Sequence, residues 1–152
     1  MHNPKAQTAA LLASPEDTEQ QFYEALQHAD LERLMEVWAD EEDISCVHPG
    51  GPRVVGRGAI RAAFETVFMQ GAISVTPERV RRINTGDTAI HQVLERVQVE
   101  GPEGPGTKQS AWVIATNVYL KTGYGWRLAV HHASPGTAHD IQEVIEEPAV
   151  LH

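Results

Sequence analysis

Cysteine is almost missing from this sequence. Cys46 is the one copy, so no disulfide can close within the chain, which fits a reducing compartment and a cytoplasmic location. It sits in the apolar run Ile44-Ser45-Cys46-Val47 and reads as a buried, inert thiol. Positive charge is also short. Twelve Lys and Arg stand against 21 Asp and Glu, for a formal net charge of -9. Binding to a nucleic-acid backbone draws on clustered Lys and Arg, so nucleic acid is not expected as a partner. The one basic cluster, Arg79, Arg81 and Arg82 beside Glu78, reads as a solvated strand end. Long hydrophobic runs are missing too. Ala9-Ala10-Leu11-Leu12-Ala13 is too short for a signal h-region and far too short to cross a bilayer, so no membrane partner is expected. No Gly-Lys-Ser follows Gly56 and Gly58, which excludes a phosphate loop. Ser134 lies in no elbow motif, which excludes that route to a serine hydrolase.

What is there suits one soluble domain: 152 residues, 41% hydrophobic and 22% charged. Three helices come first. Ser14-Pro15-Glu16-Asp17 combines an N-cap, a first-position proline and two acids at the positive end of the helix dipole. Phe22, Leu26 and Ala29 follow at helical spacing. After a break at Ala29-Asp30, Leu31, Leu34, Met35 and Trp38 form one apolar face at i, i+3, i+4, i+7. A strand over 43–48 stops at Pro49-Gly50-Gly51-Pro52, and Val54-Val55 is a second. A third helix carries Ile60, Ala63, Phe64, Val67 and Phe68 on one face.

The remainder reads as strands over 73–83, 88–99, 109–120 and 126–133, with Pro77 marking a bulge or an edge. Helices first and antiparallel strands after predict an α+β fold, with a curved sheet wrapping the helices into a cone. We expect a flexible leader over 1–14, a domain over 15–137, and a tail over 138–152 with a short helix at Ile141, Val144 and Ile145.

Several segments together resemble one known family. They are the helix ending at Trp38-Ala39-Asp40, Val47-His48-Pro49-Gly50-Gly51, Gly56-Arg57-Gly58-Ala59-Ile60, and Gly125-Trp126 with His131-His132-Ala133-Ser134. The chain resembles the SnoaL-like, ketosteroid-isomerase-like branch of the nuclear-transport-factor-2-like superfamily from about Glu16 to Pro135. The resemblance implies the cone-shaped fold with three helices wrapped by a mostly antiparallel sheet. It also implies a homodimer through the outer sheet face.

Ketosteroid isomerases carry a catalytic Asp before a Pro-x-Gly turn after the first strand. His48 holds that place here, and an imidazole with a reference pKa of about 6.5 serves as base or acid near neutral pH. The family's oxyanion donors match Phe22 and Thr116, and two supporting tyrosines match Trp38 and Phe64. Every phenol of that network is gone by this reading, which argues against steroid isomerisation. Tyr23 points about 100° away from Phe22 on an ideal helix and does not take over.

With Trp112, Ile114, Thr116, Val118, Leu120, Leu128, Val130, His132, Ser134, Ile90, Gln92 and Leu94 pointing inward, the pocket is expected to hold His48, Gln92, Thr116 and His132. Its walls would be Phe22, Trp38, Phe64, Phe68 and Trp112, apolar surroundings for a few convergent polar groups and a small apolar ligand. Val93, Val97, Val113, Ala115 and Ala129 would then form an apolar outer patch, with Asn117, Tyr119, Arg127 and His131 as its polar part. Adjacent His131 and His132 face opposite sides and cannot share an ion, and His48 with His132 lacks a third ligand. No metal and no cofactor are expected. An enzyme of this kind would be a cofactor-independent isomerase, cyclase or dehydratase. The alternative is a non-catalytic dimerisation, assembly or ligand-carrier module, because Thr107 to Trp126 with His132 and Ser134 is also similar to the association domain of calmodulin-dependent kinases.

Overall fold

The computed structural model describes residues 10–100, 103–104, 106–136 and 143–146. Helix α1 (Pro15–His28) starts as its sequence dictates. The Ser14 hydroxyl accepts the Asp17 N–H at 3.1 Å, Pro15 needs no partner there, and Glu16 and Asp17 face the positive end. The helix closes on Ala29, at a left-handed φ of 51°. Asp30 then caps α2 (Leu31–Val37) by accepting the Arg33 N–H at 3.1 Å. Gly56, at φ 93°, opens α3 (Arg57–Met69). The Arg57 guanidinium donates to the Trp38 and Met35 carbonyls at 3.0 Å each. It thereby adds donors to carbonyls at the end of α2 and pins α3 beside it.

The strands are β1 (Ser45–Val47), β2 (Arg53–Val55), β3 (Val75–Asn84), β4 (Thr88–Glu100), β5 (Lys108–Thr122) and β6 (Gly125–Pro135). They form one sheet in the order β2-β1-β6-β5-β4-β3. Only β1 and β6 run parallel. This is the expected α+β architecture: three helices against a curved, unclosed, mostly antiparallel sheet. Pro77 marks both things expected of it, since β3 is an edge strand with a bulge between Glu78 and Arg81.

Phe22, Leu34, Trp38, Ile60, Phe64 and Leu128 fill the interior, each large side chain worth about 1.5–3 kcal/mol of burial. Leu12, assigned to the leader, is 1% exposed within this core, and its carbonyl accepts the Trp126 N–H at 2.8 Å. Of the tail, 143–146 carry no helical turn, and Ile141 lies outside the described residues.

The strand register corrects the expectation. On β4, Ala89, His91, Val93 and Glu95 are buried while Gln92 is exposed. On β5, Ala115, Asn117 and Tyr119 are buried, while Ile114 is 39% exposed. On β6, His131 and Ala133 are buried and His132 and Ser134 exposed. Leu128 does point inward, but Val118 pairs with Val130 and Tyr119 with Leu128, so Ala129 is an extra residue. That bulge turns His131, not His132, to the inside. The inner face is therefore the one taken for the outer face, and the outer patch expected from Val93, Val97, Val113 and Ala115 does not exist. The physical reason is that the helices already supply bulk. Small and polar strand residues fit beneath them, and larger apolar ones lie on the opposite face.

Candidate functional site

His48 follows β1 on the inner side, in step with the buried Ile44 and Cys46. Behind it the chain turns back: Gly50, at φ 73°, follows Pro49, and the Gly51 N–H donates to the His48 carbonyl at 2.8 Å. That is the pattern of a turn needing glycine at its third position. The His48 ring lies edge-on to Phe64, centroids 4.9 Å apart, and 6.4 Å from the His131 ring. Its Nε2 is 3.7 Å from Cys46 Sγ. His48 is half-buried, and burial holds its pKa below the ordinary value. Cys46 is no nucleophile, since burial pushes its thiol up to about 12.

Behind His48 runs a chain of buried polar groups. Asn117 Oδ1 accepts from His131 Nδ1 at 2.6 Å. Asn117 Nδ2 donates to the Tyr23 hydroxyl at 3.0 Å, and that hydroxyl donates to Glu95 Oε2 at 2.7 Å. The directions fix the tautomer: His131 carries its hydrogen on Nδ1. Burial, with His48 and His132 nearby, pushes His131 down to about 3, so its ring is neutral at physiological pH. Burial pushes the Glu95 carboxyl up to about 7, so it can hold or release a proton near neutrality. Tyr23 and Tyr119 are driven upward by burial and keep their protons. A second cluster joins the same helix, with Glu19 Oε2 accepting from the Tyr119 hydroxyl at 3.0 Å and from His91 Nδ1 at 2.8 Å. Trp38 Nε1 is buried with no hydrogen-bond partner, a donor waiting inside an apolar interior.

Of the expected pocket residues, His48, Phe64 and Phe68 come together, Phe68 at 6.0 Å from Phe64. Phe22 joins them through His131, at 5.0 Å, and Trp38 is buried in the same core. Gln92, Thr116, Trp112 and His132 lie on the opposite face. Gln92 and Thr116 bond each other there at 3.4 Å, and His132 is exposed. Two phenols stand inside after all, Tyr23 and Tyr119, at 1% and 0% exposure. The residues that sequence reading missed are Glu19, Tyr23, His91, Glu95, Asn117, Tyr119 and His131. The signal for His91, Glu95, Asn117 and Tyr119 was a polar row at period two on β4 and β5, which marks one face without saying which. Among the described residues, no three His, Cys, Asp or Glu side chains gather as a metal-binding set. No helix among them is long and apolar enough to cross a membrane.

Comparison with known proteins completes the picture. A family model described as a SnoaL-like domain matches residues 16–138. No curated protein matches the sequence significantly. The fold is similar to a candidate calcium/calmodulin-dependent protein kinase type II association domain from Thiobacillus denitrificans. That likeness is at 32% identity and a TM-score of 0.72, over 84% of this chain and 98% of that one. It is also similar to a candidate dehydratase of the NTF2-like family from Streptomyces avermitilis, at 33% identity and a TM-score of 0.69, over 80% and 93% of the two chains. A candidate ketosteroid isomerase from Shewanella frigidimarina shares the fold at 20% identity and a TM-score of 0.63, over 78% of this chain and 92% of that one.

Proposed function

This chain belongs to the SnoaL-like domain family of the nuclear-transport-factor-2-like superfamily, and on that premise we propose that its interior binds a small apolar molecule and that His48 moves a proton on it. The observation that carries this reading is His48 itself: half-buried, set against Phe64 and Phe68, and kept from protonation by burial. A neutral imidazole there removes a proton from a carbon acid and returns it at another position, or hands it to a leaving hydroxyl. These are isomerase-, cyclase- or dehydratase-type steps and need no cofactor. Tyr23 offers no donor for a substrate oxygen, because its single hydroxyl hydrogen is committed to Glu95. Steroid isomerisation stays outside the proposal for that reason, and no longer because phenols are missing.

The test is hydrogen exchange into small apolar ketones in deuterated water, followed by NMR, on ligands first chosen by thermal stabilisation. A ligand at 100 times its Kd should stabilise the fold by about 2.7 kcal/mol. Exchange should rise with pH as an imidazole deprotonates, and His48→Ala should lower it at least tenfold while binding persists. Exchange unchanged in His48→Ala would remove the catalytic role. A panel that stabilises nothing would remove the ligand site.

A second reading is a non-catalytic dimerisation or assembly module. It is favoured by the outer sheet face, where Leu94, Trp112, Ile114, Val118 and Val130 are only half-buried or exposed, and by the likeness to a candidate association domain. Sheet-to-sheet pairing into a homodimer would cover that face.

A further inference from the structure

On the outer sheet face, Glu143 and Val144 wall a cleft of about 220 Å³ with Leu94 and Ile114 at its base and Arg79 and Arg81 on its rim. Glu143 Oε1 accepts from Arg81 Nε at 2.5 Å, and the Glu143 side chain is only 28% exposed. Two features of the sheet prepare that contact. The β3 bulge sets Arg79 at a left-handed φ of 46° and turns Val80 against the core, so Arg79 and Arg81 both stand at the cleft. At the far end of the sheet, the Gly136 N–H donates to the Trp112 carbonyl at 2.7 Å, and a Cβ on Gly136 would lie 2.9 Å from that oxygen. Glycine alone passes so close, which fixes where the chain leaves β6. Arg81 stands opposite Gln92 and Trp112 opposite Arg96, so by register the two lie about 16 Å apart across β4. The seven residues from Gly136 to Glu143 reach at most about 25 Å, enough for that span. The neighbouring cations are engaged elsewhere, Arg82 with Glu16 and Arg96 with Glu78.

We propose that this end of the outer face is the docking site of the chain's own C-terminal segment around Glu143, and that the docked segment competes with a second copy for the face. Ile114 is the shared ground, since it lines the cleft and belongs to the apolar surface assigned above to pairing. Val144 and Ile145 remain exposed, at 102% and 61%, so the hold rests on Glu143 and the two arginines. An exposed ion pair of this kind is weak and screened by salt, which makes the segment releasable. The docking stands by itself, whereas the competition rests on the dimer reading.

A nitroxide on Val144→Cys reports the docking, because Cys46 is buried and the new thiol alone reacts. It should broaden the amide signals of Leu94 and Ile114 in its own chain, and not in chains without the nitroxide mixed with it. Arg81→Glu should abolish the broadening, and Arg81→Glu combined with Glu143→Arg should restore it. Dimerisation is followed by sedimentation over a dilution series, on the chain without the nitroxide. Either reversal alone should tighten the dimer at least tenfold, and the two together should return it to the starting value. Net charge by itself does not give this pattern, since Arg81→Glu makes the chain more acidic by two charges and Glu143→Arg less acidic by two. Arg81 is 59% exposed, and unchanged melting temperatures verify that the variants are folded. Broadening that is missing, or that appears only between chains, overturns the docking. A dimer equally tight in all four forms, or loosened by both reversals, overturns the competition and leaves the dimer reading standing. No dimer in any form removes the dimer reading and the competition with it, while broadening within the chain still decides the docking.

Discussion

The two faces of the sheet reverse the usual rule of size. The face under the helices carries Ala89, Val93, Ala115 and Ala133, with His91, Glu95, Asn117 and His131 between them. The face turned away carries Leu94, Trp112, Ile114, Val118 and Val130. Bulk inside comes from Phe22, Trp38 and Phe64 on the helices and their flanks, so the strands beneath are free to hold polar groups. Those groups lean on one another. Changing them should act on the stability of the fold itself, and with a pH dependence. Changes on the other face should leave the fold alone and act on association.

The largest effect is expected at His131. Its pKa falls from the ordinary 6.5 to about 3 in the folded protein. A depressed value means stability that is present above pH 6.5 and lost as the pH falls toward 3, because the unfolded chain takes the proton first. At about 1.36 kcal/mol per tenfold change the loss approaches about 5 kcal/mol. His131→Gln can still donate to Asn117 and has nothing to titrate. In urea denaturation its stability relative to the unaltered protein should rise by that order between pH 6.5 and 3. A difference that stays constant with pH would mean that His131 already titrates normally and that the inner face is wetter than described.

Glu95 is expected to act with the opposite sign and a smaller size. Its pKa rises from 4.5 to about 7. A raised value means stability present below pH 4.5 and lost as the pH rises through 7, worth about 3 kcal/mol. Glu95→Gln keeps an acceptor for Tyr23. It should gain that amount over the unaltered protein by pH 8, read from the same denaturation curves. Between pH 4.5 and 6.5 the two groups oppose each other, so each substitution should unmask the slope the other had hidden. Asn117 and Tyr23 link them, so the double variant should depart from additivity.

The fold was legible because its signals are local. Ser14-Pro15 starts α1, Gly56 opens α3, and Pro77 marks an irregular edge strand, each through backbone geometry that few other residues meet. The place of His48 was legible through the resemblance, which puts the family's base just before the glycine-dependent turn at 49–51. The rest of the site was not. Alternation on β4 and β5 distinguishes two faces, but only the packed helices decide which is inside, and matching Thr116 to the family's inward oxyanion donor set both strands one residue out. The bulge beside Ala129 had no Gly or Pro to announce it, yet it selects His131 over His132. Tyr23 shows the same limit on a helix. An ideal 100° step separates it from Phe22, but a helix gripped by a curved sheet buries both.

The smallest change in fold stability is expected on the far face, and it is the sharpest test of the contrast. Ile114 is 39% exposed in the isolated chain, so Ile114→Lys removes little buried area. Surface substitutions of this kind usually stay within about 0.5 kcal/mol. If this face pairs with a second copy, the same lysine puts a charge into an apolar contact and should convert dimer to monomer at micromolar concentration in sedimentation, with the unfolding of the monomer unchanged. A protein that is monomeric before the substitution would leave the outer residues without an occupant and end the dimer reading. A variant that unfolds would say more, because Ile114 would then belong to the core and the two faces would have to be exchanged again.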